Sequence, residues 1–290
     1  MNAPVLILGC GYTGSRVAAR LAARGVEVLA AGRSFRHLPE LPHIRRVAFD
    51  AASGESLNAL AKQMPHPCAV LHSIPVLDGP REVTARLLDA LGGSAVRFVY
   101  LSTTAVYGDQ LEADETTPAA PRTAEACLRH EAEQRVLSAP CSSIVLRPAA
   151  IYGPGRGVHV SIPAGRFRMA GDGSAWVSRI HVDDLAALVE AALASDVGGA
   201  WPVTDLEPAR QRDIAALVCS LLRCPMPAGA EPGSLHRTLR TNRRVDGRAV
   251  FRLHGLALRY PSYREGIPAC LAAEGRLPPS GAPAALQSES

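Results

Sequence analysis

Gly9-Cys10-Gly11-Tyr12-Thr13-Gly14 lies between an apolar run, Pro4–Gly9, and a stretch, Tyr12–Arg24, with apolar residues at Val17, Leu21 and Ala22. The run reads as a buried strand and the stretch as a helix. Strand, glycine turn and helix in that order form a phosphate-binding turn. Gly9 permits the tight turn, Gly11 admits a pyrophosphate close to the backbone, and Gly14 lets the helix pack on the strand. The helix N-terminus at Tyr12 and Thr13 offers N–H groups and the positive end of a dipole to the anion.

Outward from this turn, strands and helices alternate. Val26–Ala31 and Arg46–Phe49 read as the second and third strands, Ser56–Gln63 as a helix, and Cys68–Leu71 as the fourth strand. Val83–Leu91 is helical, Val96–Leu101 a fifth strand, Ala124–Leu137 a helix and Ser143–Leu146 a sixth strand. That alternation predicts an α/β fold, a Rossmann-type doubly wound parallel sheet that binds ligands at the carboxyl ends of its strands. Glycine and proline then become dense from Gly153 to Gly173. A helix at Val182–Leu193, a strand at Ala200–Val203, a helix at Gln211–Leu222 and a loop at Pro225–Pro232 follow. Two short helices are expected within 246–272, around Tyr260-Pro261. The expected organisation is a nucleotide-binding domain over 1–150, with the elements near 180–204 returning to it. Residues 151–276 would form mainly a smaller substrate lobe, and the Pro/Ala/Ser-rich tail 277–290 would be disordered.

The basic residues sharpen the chemistry. The 290 residues hold 31 Lys+Arg against 27 Asp+Glu, a net charge of +4, and the only lysine is Lys62. A lysine base or Schiff base must therefore use Lys62. A Walker-type loop is excluded, because Leu60-Ala61-Lys62-Gln63 has no glycine run before it. The excess of arginine reads as codon bias. No basic block exceeds Arg45-Arg46 or Arg243-Arg244, so no nucleic-acid partner is expected. The seven cysteines are odd in number and irregularly spaced, with no C-x-x-C pair. That pattern argues against a disulfide framework or a zinc site and for a reducing compartment. Val5–Leu8 is too short for a signal peptide, and no apolar stretch approaches the ~18 residues of a membrane span. A cytoplasmic protein is expected, with no metal, no membrane and a small-molecule substrate; its oligomeric state is left open.

The end of the second strand speaks to the cofactor. An NAD-selective site places a carboxylate there for the ribose hydroxyls. Ala31-Gly32-Arg33-Ser34 has none. Arg33 can pair with a 2′-phosphate, Ser34 can hydrogen-bond it, and Arg36 adds charge, which favours NADP and leaves NAD open. Asp50 is placed to accept from the adenine amino group. His72-Ser73-Ile74-Pro75 would border the nicotinamide-side phosphates through Ser73.

At Leu101-Ser102-Thr103-Thr104-Ala105-Val106-Tyr107-Gly108-Asp109 the chain resembles the extended short-chain dehydrogenase/reductase superfamily, and within it the NAD-dependent epimerase/dehydratase family. Arg147-Pro148-Ala149-Ala150-Ile151-Tyr152-Gly153-Pro154-Gly155, Arg179-Ile180-His181-Val182-Asp183-Asp184-Leu185 and Arg259-Tyr260-Pro261-Ser262-Tyr263-Arg264-Glu265-Gly266 agree in order. The resemblance covers about residues 3–272. It implies Thr103 as the catalytic hydroxyl, flanked by Ser102 and Thr104, with Ser102 and Arg147 at the cofactor.

The family's Tyr-x-x-x-Lys acid/base pair is absent. Glu125 falls at the Tyr position and Arg129 at the Lys position. Arg129 can hold a ribose but cannot relay a proton. Glu125 can act as an acid only if burial raises its pKa. The chain therefore resembles atypical members that keep the nucleotide site without the dyad. Thr104-Ala105 stands where a sugar-nucleotide dehydratase carries Asp-Glu, and Val177 where an epimerase carries a diphosphate-binding arginine. Arg179, Arg156, Arg166 and Arg168 are candidates for an anionic substrate. His159 and His181 are candidate replacement acids, although His181 reads better as a structural hydrogen bond. These residues point to an NAD(P)-binding oxidoreductase acting on a small polar substrate. A non-catalytic NADP-binding sensor or scaffold and a sugar-nucleotide epimerase are the alternatives.

Overall fold

The computed structural model describes residues 3–75, 83–91, 93–235 and 239–277. The tail expected to be disordered lies, from residue 278 on, outside the described residues. The longer strands are β1 (Val5–Leu8), β2 (Val28–Gly32), β3 (Ile44–Ala48), β4 (Cys68–His72), β5 (Ala95–Leu101), β6 (Ser142–Pro148), β7 (Ala150–Tyr152), β8 (Arg179–His181) and β9 (Gly199–Val203). The helices are α1 (Tyr12–Ala22), α2 (Gly54–Ala61), α3 (Val83–Leu91), α4 (Ala124–Leu137), α5 (Val182–Leu193), α6 (Gln211–Leu222), α7 (Arg248–Leu253) and α8 (Tyr263–Ala273).

Seven strands form one parallel sheet in the order β9-β6-β5-β4-β1-β2-β3. β1, β2 and β4 are buried along their whole length, so their sequences are continuous apolar runs rather than alternations. Val17 and Leu21 of α1 meet Leu185 and Val189 of α5 over one face. Leu60 of α2, Leu87 of α3 and Val136 of α4 cover the other. β3 begins at Ile44, two residues earlier than the sequence pattern predicts, because it pairs in register from Val28↔Ile44. Arg45 and Arg46 are exposed there, which an edge strand tolerates and which discourages further pairing.

A third apolar cluster, with Phe167, Ile214, Val218, Tyr263 and Ile267, lies beyond the sheet. β7 leaves the end of β6 and pairs in parallel with β8, Ala150 opposite Arg179. The Gly/Pro-rich stretch after it holds a single helical turn, Val158–Ser161. Within it Met169–Ala170 pairs with Gly229–Ala230, inside the segment expected as a loop. Lys62 is the exposed C-cap of α2.

Candidate nucleotide cleft

The glycine turn adopts the geometry that its residues permit. Gly9 has φ +97°, a left-handed conformation, and its N–H donates to the Ala31 carbonyl at 2.9 Å. Ser73 Oγ donates to the Gly9 carbonyl at 2.7 Å, tying the end of β4 to the turn. A Cβ on Gly14 would stand 2.2 Å from the Gly9 oxygen, whereas one on Gly11 would meet nothing within 4 Å. Gly14 is thus required by packing, and Gly11 faces open space. Gly11 also caps α1 without a side-chain hydrogen bond, which leaves the first-turn N–H groups to solvent or an anion. Cys10 between them is buried, and burial pushes its thiol up to about 12, so it is no nucleophile.

The turn opens on a cleft of about 430 Å³ at the carboxyl ends of the strands. β1 and β4 diverge there into connections on opposite faces of the sheet, the switch point at which such sheets bind ligands. Gly9, Gly11, Tyr12, Thr13, Arg33, Ser34, Asp50, Ser73, Ser102 and Arg129 all line this cleft. Gly14 supports it through the contact with Gly9. Arg33, Ser34 and Asp50 are exposed at the rim, and Asp50 accepts from the Ala52 N–H at 3.0 Å. Ser102 Oγ and Arg129 Nε are buried without a hydrogen-bond partner. Orphaned donors at a cleft are expected where a polar ligand completes the site. A dinucleotide fits this donor set: N–H groups and Gly11 for its pyrophosphate, Ser102 and Arg129 for its inner hydroxyls.

Thr103, Glu125 and Arg147 do not line the cleft. Thr103 is half-buried and its Oγ1 accepts from the Ala105 N–H at 3.2 Å, so its own proton is left to donate elsewhere. Glu125 lies one helical turn from Arg129, with Oε1 3.4 Å from its Nη2. Arg147, expected at the cofactor, is buried and bonded otherwise. Its Nη2 and Nε donate to Glu133 at 2.7 and 3.1 Å, and Nη1 donates to the Tyr107 hydroxyl at 3.3 Å. Glu133 is fully buried on α4, so the pair holds α4 to β6.

The histidines serve the frame. His181 Nδ1 accepts from the Asp183 N–H at 3.2 Å and caps α5, which leaves the proton on Nε2 facing Cys270 Sγ at 3.4 Å. Its ring packs 4.0 Å from that of Tyr260, and burial holds its pKa down to about 4. His159 is buried, with Nε2 3.0 Å from Glu274 Oε1. Arg166 and Arg168 are exposed away from the cleft, whereas Arg156 lines it. Sequence reasoning did not find the role of the Tyr12 hydroxyl, which donates to the Pro154 carbonyl at 3.0 Å. The Arg156 guanidinium lies 5.3 Å from the centre of the Tyr12 ring, so the turn and the Gly/Pro-rich segment are fastened together. No local pattern announces a contact across so much chain.

Fold and cleft define a Rossmann-type nucleotide-binding protein. The model of the NAD dependent epimerase/dehydratase family matches residues 5–203, most of the chain, and the protein belongs to that family. A Streptomyces sp. protein named 3-diazoavenalumate denitrifying reductase is 28% identical over 91% of this chain and 98% of its own length. Among solved structures, a conserved Silicibacter pomeroyi protein of unknown function is 29% identical. It covers 94% of this chain and 99% of that one, with a TM-score of 0.77. The Bordetella bronchiseptica enzyme WbmG, solved with NAD and UDP, is 16% identical over 95% of both chains, with a TM-score of 0.79, a likeness of fold. Among the described residues no helix is long and apolar enough to cross a membrane, and no group of three or more His, Cys, Asp or Glu residues could hold a metal ion.

Proposed function

We propose that the protein is an NADP(H)-dependent reductase of a small polar substrate, working without the Tyr-Lys dyad. The observation that carries this reading is the cleft itself. An uncapped helix N-terminus, an open Gly11 and the orphaned Ser102 and Arg129 face one space, and Arg33 stands at its rim where a carboxylate would select NAD. When bound, a nicotinamide nucleotide would supply hydride, which a carbonyl accepts only together with a proton, whereas an aryl diazonium carbon accepts it with release of dinitrogen and no proton. The name of the Streptomyces relative describes a reductive loss of nitrogen, and such chemistry suits a chain with Glu125 and Arg129 in place of the dyad.

In this reading the first-turn N–H groups of α1 hold the pyrophosphate, and Arg33 and Ser34 hold the 2′-phosphate. Arg129 holds the inner ribose hydroxyls and moves no proton. Thr103 donates its hydroxyl proton as a hydrogen bond to the substrate.

Fluorescence titration with NADPH and NADH, followed by NADPH oxidation against carbonyl compounds and aryl diazonium acids and by chromatographic assay of UDP-glucose epimerisation, tests the reading. NADPH binds more tightly than NADH, and Arg33→Ser removes that preference by roughly tenfold or more. Absence of nucleotide binding overturns the proposal. Binding without turnover of any substrate would favour a sensor, and turnover confined to UDP-glucose an epimerase.

A further inference from the structure

Ile151, a wall of the nucleotide cleft, also lines a second cavity of about 220 Å³. The rest of that cavity is mostly apolar, with Tyr152, Val158, Phe167, Val177 and Leu239 among its walls. Among the described residues Arg179 is its one cationic lining residue. The residue is only 7% exposed, and its Nε is buried with no hydrogen-bond partner. Burial pulls the guanidinium down to about 10, which still leaves it charged at neutral pH. Asp205 is the acid that acts on it most strongly, but Asp205 Oδ2 is likewise buried without a partner. Burial pushes that carboxyl up to about 8, which weakens it as a counter-ion, and its bonded oxygen accepts from the Glu207 N–H rather than from Arg179. A buried guanidinium without a bonded counter-ion is costly, and an incoming anion relieves that cost.

The walls restrict the anion. A nucleotide diphosphate needs several donors, and the described walls offer one cation among mostly aromatic and aliphatic side chains, since Ser161 and the Gln211 amide already bond the backbone. A single carboxylate on a flat apolar body matches it, because the guanidinium fork takes a carboxylate in two parallel hydrogen bonds and the walls take the body. We propose that this cavity is the acid pocket of the substrate site, in which Arg179 binds the carboxylate of a small aromatic monocarboxylic acid whose other end reaches past Ile151 into the nucleotide cleft. The proposal rests on the reductase reading only for the purpose of that reach; the pocket binds the acid by itself.

Calorimetric titration of the full chain with trans-cinnamate and with its neutral amide, with and without NADPH, tests it. Cinnamate binds at least tenfold more tightly than cinnamamide, and Arg179→Gln abolishes that preference while leaving the NADPH titration unchanged. Val158→Trp, which fills the cavity, removes binding of both. Equal binding of acid and amide by the unsubstituted protein, or binding of neither, overturns the proposal, as does a preference that survives Arg179→Gln. Should Arg179→Gln fail to fold, cinnamate binding unaltered by Val158→Trp overturns it. Failure of the NADPH titration alone removes the reductase reading and leaves the comparison of acid with amide intact.

Discussion

Two glycines three residues apart in one turn show how differently the same residue type can be required. Gly14 has no room for a methyl group, because a Cβ would press on the Gly9 oxygen at 2.2 Å. Gly11 has room in the protein alone, and its side-chain hydrogen faces the cleft. Gly14→Ala is therefore expected to destabilise the fold by at least about 2 kcal/mol through backbone displacement. Gly11→Ala should unfold at nearly the same denaturant concentration as the parent yet bind NADPH at least about tenfold more weakly. Urea unfolding and nucleotide titration of the two variants check this; a stable Gly11→Ala that binds normally would show that no pyrophosphate lies over the turn. The motif made both glycines and their separate roles legible in the sequence, and the structure adds the distances that tell packing from ligand approach.

At the scale of the element, α4 joins sheet to site. Its outer turn carries Glu125 and Arg129, and its inner face carries Glu133 paired with Arg147 of β6. Removing one member of a buried pair strands the other charge. Glu133→Ala should cost about 3–5 kcal/mol in chemical unfolding, a loss too large for an exposed helix glutamate. A change within the range of surface substitutions would contradict the burial of this pair. The helix was readable from Ala124 to Leu137, as were α3, α5 and α6, because each is a local run of residues free of glycine and proline. Arg147 was not readable. A motif fixes its position along β6, but its partner lies 14 residues away on another element. The same holds for β7 and β8, whose pairing no local pattern encodes, and hence for the burial of Arg179 at their junction. The start of β3 was misplaced because arginines on an exposed edge do not look like a strand.

Across the whole molecule, buried neutral histidines set the response to acid. Burial holds His72 down to about 3 and His181 to about 4, against about 6.5 when unfolded. The unfolded chain therefore takes up protons first, and stability falls as pH drops below about 6.5 toward those values. Asp205 acts in the opposite sense. Raised to about 8, it costs stability as pH climbs from about 4 to that value. The difference between variant and parent isolates the histidine. His181→Asn, which keeps a cap for α5, should flatten the fall in urea midpoint between about pH 6.5 and 4. An unchanged slope would mean that the ring is already protonated in the folded state. Lys62 has a practical consequence at this same scale. It ends α2, which runs back from the cleft edge, and the next strand begins at Cys68. The lone side-chain amine thus stands at the strands' amino edge, opposite the nucleotide cleft. An amine-reactive ester would attach this protein to a surface or a dye through one side chain, with the cleft facing outward.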